Sequence, residues 1–390
     1  MSKKKLGCVI IMRPNHNNYG TSLQGFATIQ FLKQHKIEFE VIRYLKKRSL
    51  IQIVSILPLY LLSGGAAELI RLFKNKLILK QQKGYFQNLR LRSQAVNQFK
   101  VKYLEPFCKY YNGYRDLVNG AENYGVIMVG SDQVWTPMSL YSKFYNLLFV
   151  KTSIPTFSYA SSFGVSKIPF YQLKETKGYL EKLNLIGVRE VQGKNIVESL
   201  TKKSAQVVLD PTMLLSQSEW SNLIPLNAKG FNQPYIFCYI LGNSKETRKA
   251  INTLKMKTGL KVVYLRHIDV YNADDEHMGD FSPYDVSPLD FVNLIRNATY
   301  VCTDSFHGTV FSIIFQKKFT VFYRHKQNSS QSTNSRIDNL VDMFNLRDRF
   351  YNGDILSIEN EIDYNSIIRQ VDEERKKSIA FFMSGINLEQ

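Results

Sequence analysis

The chain has 390 residues, 44% of them hydrophobic, with 25 Phe and 23 Tyr; this leaves room for about two domains and excludes an intrinsically disordered protein. Lys and Arg number 51 against 33 Asp and Glu, a net charge of +18, so the partners it favours are anionic: small molecules, nucleic acid or an acidic membrane surface. Cys8, Cys108, Cys238 and Cys302 are the four cysteines; they lie far apart without ligand-type spacing, which excludes a disulfide scaffold and suits reduced thiols in the cytosol.

The apolar run at 6–12 predicts a first strand. Behind the basic start Lys3–Lys5 that run is only about seven residues, which fits a strand better than a signal peptide and points to a cytoplasmic protein. A polar loop ending in Asn18-Tyr19-Gly20 follows, then a helix over 22–35 and a strand over 38–44. This is a βαβ unit, and so the start of a parallel sheet. The loop lacks the G-x-G-x-x-G spacing of a dinucleotide site. Residues 50–62 are strongly apolar but contain Pro58 and are too short to span a bilayer. Residues 66–102 read as helical and basic, with Arg71, Lys74, Lys76, Lys80, Lys83, Arg90 and Arg92. The stretch from Arg71 to Arg92 is either a solvated insertion or a surface that rests on anionic lipid.

Strands are predicted at 125–129, 156–159, 185–188 and 207–209, with helices at 171–183 and 193–200. Each strand ends on polar residues: Gly130-Ser131-Asp132-Gln133-Val134-Trp135, Ala160-Ser161-Ser162, Arg189-Glu190 and Asp210-Pro211-Thr212. In parallel sheets ligands bind at that edge, although each of these residues can also serve only to cap the next helix. A second series follows: strands at 235–239, 261–265, 300–302 and 319–323, helices at 245–258 and 287–297, the latter opened by Ser287-Pro288. A charged helix at 365–383 closes the chain. The resulting expectation is α/β: two Rossmann-like domains facing across a cleft. The first covers 1–218 with a basic helical insertion at about 50–105, the second covers 219–363, and helix 364–390 returns to the first.

The stretch Thr303-Asp304-Ser305-Phe306-His307-Gly308 joins a strand to an apolar segment at 309–315. A helix that starts there presents free N–H groups and a positive dipole end to an anion, with His307 placed to exchange a proton with it. Alternatively, Asp304 or Ser305 caps the helix beside a surface histidine. His267 and His277 lie in an acidic loop that reads as solvated, and no metal site is expected.

These motifs, with Asn334-Ser335-Arg336-Ile337 and Leu346-Arg347-Asp348-Arg349 after them, resemble the polysaccharide pyruvyl transferase family over roughly residues 5–349. The resemblance implies a GT-B-like fold and transfer of pyruvate from phosphoenolpyruvate onto two hydroxyls of a sugar, leaving a ketal and phosphate. It makes His307 the general acid and gives Arg189 the donor's anionic groups, with Ser305, Gly308, Arg324, Lys326 and Arg336 around the same ligand. Asn18, Tyr19, Gln133, Trp135 and Ser161 fall on the acceptor side. Asp132 is the candidate for holding or deprotonating the acceptor, or else a capping residue. No cofactor is implied beyond the donor substrate; the acceptor is a sugar or lipid-linked oligosaccharide.

One departure bears on the donor: Ser305 stands where many family members carry an arginine, and a hydroxyl supplies neither that charge nor its fork. Arg336, Arg324 or Lys326 then compensates, or the donor differs. Two other readings compete: a GT-B glycosyltransferase using a nucleotide sugar, and a non-catalytic subunit of a polysaccharide assembly complex. Nucleic-acid binding is set aside because none of its motifs is present.

Overall fold

The computed structural model describes residues 5–12, 17–45, 58, 66–82, 84–137, 143–268, 271–324 and 335–389. Lys326 and nearly all of the apolar 50–62 segment lie outside them. The first sheet contains β1 (Lys5–Val9), β2 (Phe39–Leu45), β3 (Cys108–Asn112), β4 (Tyr124–Val129), β5 (Thr156–Ser161), β6 (Leu185–Val188) and β7 (Gln206–Val207), ordered β3-β2-β1-β4-β5-β6-β7. The second contains β8 (Tyr235–Tyr239), β9 (Lys261–Tyr264), β10 (Tyr300–Thr303) and β11 (Lys318–Val321), ordered β11-β10-β8-β9. Every pairing is parallel. The central strands β4, β5 and β8 are buried at every position, as expected of strands covered on both faces, whose sequences are continuous apolar runs rather than alternations.

The helices are α1 (Tyr19–Gln34), α2 (Ala66–Gln81), α3 (Tyr85–Tyr103), α4 (Tyr114–Gly120), α5 (Leu173–Leu180), α6 (Val191–Leu200), α7 (Gln217–Leu223), α8 (Lys245–Thr258), α9 (Pro288–Asn297), α10 (Phe306–Ile314), α11 (Ser335–Met343) and α12 (Tyr364–Ile386). Helix α1 starts three residues earlier than its apolar spacing suggests, because Asn18 caps it by accepting from the Thr21 N–H at 3.1 Å. It is buried nearly all round, since one end abuts the second domain: Tyr19 stacks on Phe291 at 4.8 Å and meets Tyr239 edge-on at 5.8 Å. A single apolar core therefore runs from Phe26 through Trp220 to Phe311, with ring centroids 5.9 and 5.0 Å apart. The single helix predicted over 66–102 is two, broken at Gly84, whose φ of 76° lies in the left-handed region. Helix α12 packs on the first sheet: Phe382 lies 4.6 Å from Tyr159 and 4.9 Å from Phe31. Gly187 leaves the room that Phe381 fills, since a Cβ there would approach its ring to 2.5 Å.

Candidate active site

The C-terminal edges of the two sheets meet, and the polar residues that end the strands gather there. Asp132 follows β4 with φ 76°, a conformation that Asp tolerates better than most side chains. Its carbonyl accepts from the amides of Val134 and Ser162. That strained turn is thereby fixed, and the carboxylate takes the Thr21 hydroxyl at 2.7 Å. On the facing sheet, Ser305 caps α10 by accepting from the Gly308 N–H at 3.4 Å, so the helix begins at Phe306. His307 is thus in the first helical turn and only 7% exposed, not on a surface turn. Asp304 does not cap: its two oxygens accept the Leu241 and Gly242 amides at 2.8 and 2.7 Å.

The carboxylate that faces His307 is Asp210, from the other domain, with Oδ1 3.7 Å from Nε2. Asp210 is fully buried and accepts from Thr212 N–H and Oγ1 at 3.0 and 2.8 Å, Ser131 Oγ at 2.8 Å and Arg189 Nη1 at 3.1 Å. Burial alone would raise its pKa; His307 and Arg189 override that and hold the carboxyl well below the usual range. Arg189 is also buried, 3.7 Å from Asp132 and 3.8 Å from Glu190, with its guanidinium 4.7 Å over the Phe306 ring.

A cavity of about 220 Å³ opens over this cluster, lined by Asn18, Asp132, Gln133, Ser305, His307, Arg324 and Arg336 among others. Arg324 reaches it from the end of β11 while donating to the Asp304 carbonyl at 3.0 Å. Arg336 reaches it from α11; burial and then the neighbouring Arg189 push its pKa down to about 10. Among the described residues, His307 Nε2, Arg324 Nε and Arg336 Nε are buried without a hydrogen-bond partner.

Several residues expected on the ligand are placed elsewhere. Trp135 is 1% exposed, packs on Phe163 and Tyr179, and gives its N–H to the Tyr145 carbonyl at 3.0 Å. Ser161 is buried and donates to the Gly130 carbonyl. Tyr19 sits in the interdomain core beneath the Arg92 guanidinium. Gly308 is a packing residue, since a Cβ would come within 2.4 Å of Thr303 Oγ1. Arg189 lies behind Phe306, held by three carboxylates, and does not line the cavity. Asp210 and Thr21, in turn, were given no role from sequence. The Asp-Pro-Thr at the end of a strand was the available signal for Asp210, but its partner on the other domain was not visible there.

Gly20 shows how closely the domains meet: a Cβ there would lie 2.0 Å from His307 Nδ1. Gly20→Ala is therefore expected to displace the imidazole and cost about 1–3 kcal/mol, as overpacking does. An unchanged thermal melt would mean that the ring has room to move.

Two parallel Rossmann-like sheets that place their strand ends around one cavity define a GT-B-like α/β protein. UDP-GlcNAc 2-epimerase from Neisseria meningitidis bound to UDP-GlcNAc has this fold: 12% identity, 97% of this chain and 100% of that one covered, TM-score 0.51. Another UDP-N-acetylglucosamine 2-epimerase matches with 14% identity, 100% and 98% coverage and a TM-score of 0.53. No curated protein matches the chain. The polysaccharide pyruvyl transferase family model matches residues 18–326, and the chain belongs to that family of transferases.

Proposed function

We propose that the protein transfers the pyruvyl group of phosphoenolpyruvate to two hydroxyls of a sugar in surface-glycan biosynthesis. Carbon 2 of the donor gains two bonds to sugar oxygens, the methylene carbon gains a proton, and the bond to the phosphate oxygen breaks to release inorganic phosphate. The observation that carries this reading is the convergence of Arg324, Arg336, His307 and the start of α10 on one cavity. The buried Nε groups of Arg324 and Arg336 there lack partners, and a small carboxylate- and phosphate-bearing molecule would satisfy them. An anion would also offset the burial and the neighbouring Arg189 charge that depress Arg336.

His307 stands where it can protonate the methylene carbon, with Asp210 behind it to hold the imidazole and balance its charge. Asp132 faces the cavity from the opposite domain, hydrogen-bonded to Thr21. It holds or deprotonates an acceptor hydroxyl. Asn18 and Gln133 lie beside it on the acceptor side. Arg336, from a different helix, supplies the cation that Ser305 does not, and Arg324 supplies the second. Arg189 acts on the donor indirectly, by fixing Asp132 and Asp210.

Ligand-induced thermal stabilisation tests the donor. Phosphoenolpyruvate at about 100 times its dissociation constant is expected to add about 2.7 kcal/mol to the native state. Inorganic phosphate, which lacks the carboxylate, is expected to add less, and UDP nothing. Arg336→Ala is expected to shrink the phosphoenolpyruvate shift. Stabilisation by UDP and none by phosphoenolpyruvate would overturn the proposal in favour of sugar transfer from a nucleotide donor. A panel of glycans then identifies the acceptor by phosphate release.

A further inference from the structure

Helices α2 and α3 form a hairpin that is fastened on one side and bare on the other. Leu79, Arg92, Val96 and Phe99 face the body and are buried. Arg92 donates to the Tyr284 carbonyl at 2.8 Å, and Asn17 donates to Ser93 at 3.1 Å. These bonds tie the hairpin to both domains, one residue from the Asn18 that lines the cavity. The outer side presents large apolar side chains to solvent: Ile70 at 56%, Phe73 at 64%, Leu77 at 46% and Ile78 at 44% exposure on α2, and Phe86 at 61% on α3. At 100° per residue, Ile70, Phe73 and Leu77 fall on one stripe, with the buried Leu79 on the opposite side. Lys74, Lys76, Lys80 and Arg90 are exposed among them. Over 66–102 the sequence has nine basic residues and one acidic residue, Glu68.

Stray exposed apolar side chains need no explanation, but an apolar stripe edged by lysines on a firmly anchored hairpin does. We infer that this outer face docks on the surface of an anionic lipid bilayer, with Phe73 and its neighbours in the headgroup–acyl boundary and the lysines on lipid phosphates. No helix among the described residues is long and apolar enough to cross a membrane, so the hairpin lies on the bilayer. A second copy of the chain is the poorer occupant. A two-fold contact would set Lys74, Lys76 and Lys80 against the same lysines of the other copy, and like charges repel. The inference is independent of the donor reading, because binding is measured without either substrate.

Co-sedimentation of the full chain with vesicles tests it. Phosphatidylcholine vesicles with added phosphatidylserine are expected to bind the protein at low salt, pure phosphatidylcholine vesicles much less, and raised salt should release it. Lys74→Gln, Lys76→Gln and Lys80→Gln together are expected to weaken binding by on the order of a hundredfold, about fivefold for each lysine. Phe73→Ser should weaken it about tenfold. These side chains are exposed, so the variants' melting should match the parent's. Equal binding to neutral vesicles, no binding at low salt, or unweakened binding by the charge variant would overturn the inference. So would a concentration-dependent dimer that Phe73→Ser dissolves, since it would identify a second copy as the occupant.

Discussion

Replacing His307 with Asn is expected to lower turnover about 100- to 10,000-fold, the usual loss when a general acid is removed, while the protein still melts as a folded molecule. Asn is the informative choice because His307 is buried between Gly20 and Phe306, and Ala would add a cavity to the chemical defect. An amide fills part of the ring's volume and keeps a donor near Asp210, yet it cannot give a proton to carbon. The stabilisation by phosphoenolpyruvate should largely persist, since Arg324 and Arg336 remain on the cavity. Turnover that survives in His307→Asn would remove the histidine from the chemistry and leave it as the residue that seals the two domains together. Loss of ligand stabilisation with unchanged turnover per bound donor would make it a binding residue instead.

How much of this was legible in the sequence depends on whether the signal was local. Strands such as β4 and β8 were, because a strand covered on both faces has to be a short apolar run. The capping box of α9 was too: Ser287 accepts from the Asp290 N–H, with Pro288 at the first helical position. Strand β3 was not, because Cys108–Asn112 is an edge strand with only Tyr111 buried, and its sequence carries no apolar run. The break at Gly84 was missed because the basic pattern continues across it. In the site, the order of motifs at strand ends brought Asp132, His307 and Arg324 to one place, but it could not rank them by depth. Trp135 shares a motif with Asp132 and Gln133, and Ser161 closes β5 at the same sheet edge, yet both side chains are buried in the core. Burial is a property of the surrounding shell, and a motif does not encode it.

The same difference in depth changes the part played by Arg189. Arg189, expected on the donor, is buried among the carboxylates of Asp132, Glu190 and Asp210. Arg189→Met keeps the length and the contact with Phe306 but leaves three carboxylates without their shared charge. Breaking a buried pair in this way costs about 3–5 kcal/mol, which is a large part of the stability of a typical domain. The pH dependence gives the loss a sign. Burial raises the pKa of both Asp132 and Asp210, and Arg189 and His307 more than offset it, so both lie below their usual range. The stability they contribute is present above about pH 4 and is lost as pH falls through their folded pKa values. Burial also raises Glu190, and Arg189 offsets it only in part; its contribution is present below about pH 4.3 and is lost as pH rises through its folded value. Without Arg189 all three pKa values move up, and the folded variant binds more protons than the parent. The deficit of Arg189→Met is therefore expected to be largest near neutral pH and to narrow as pH falls below about 5, where the carboxylates begin to protonate. Chemical denaturation at a series of pH values measures it. A deficit that is small at neutral pH, or that widens in acid, would mean that Arg189 is not the charge on which the cluster depends, and would return it to the donor.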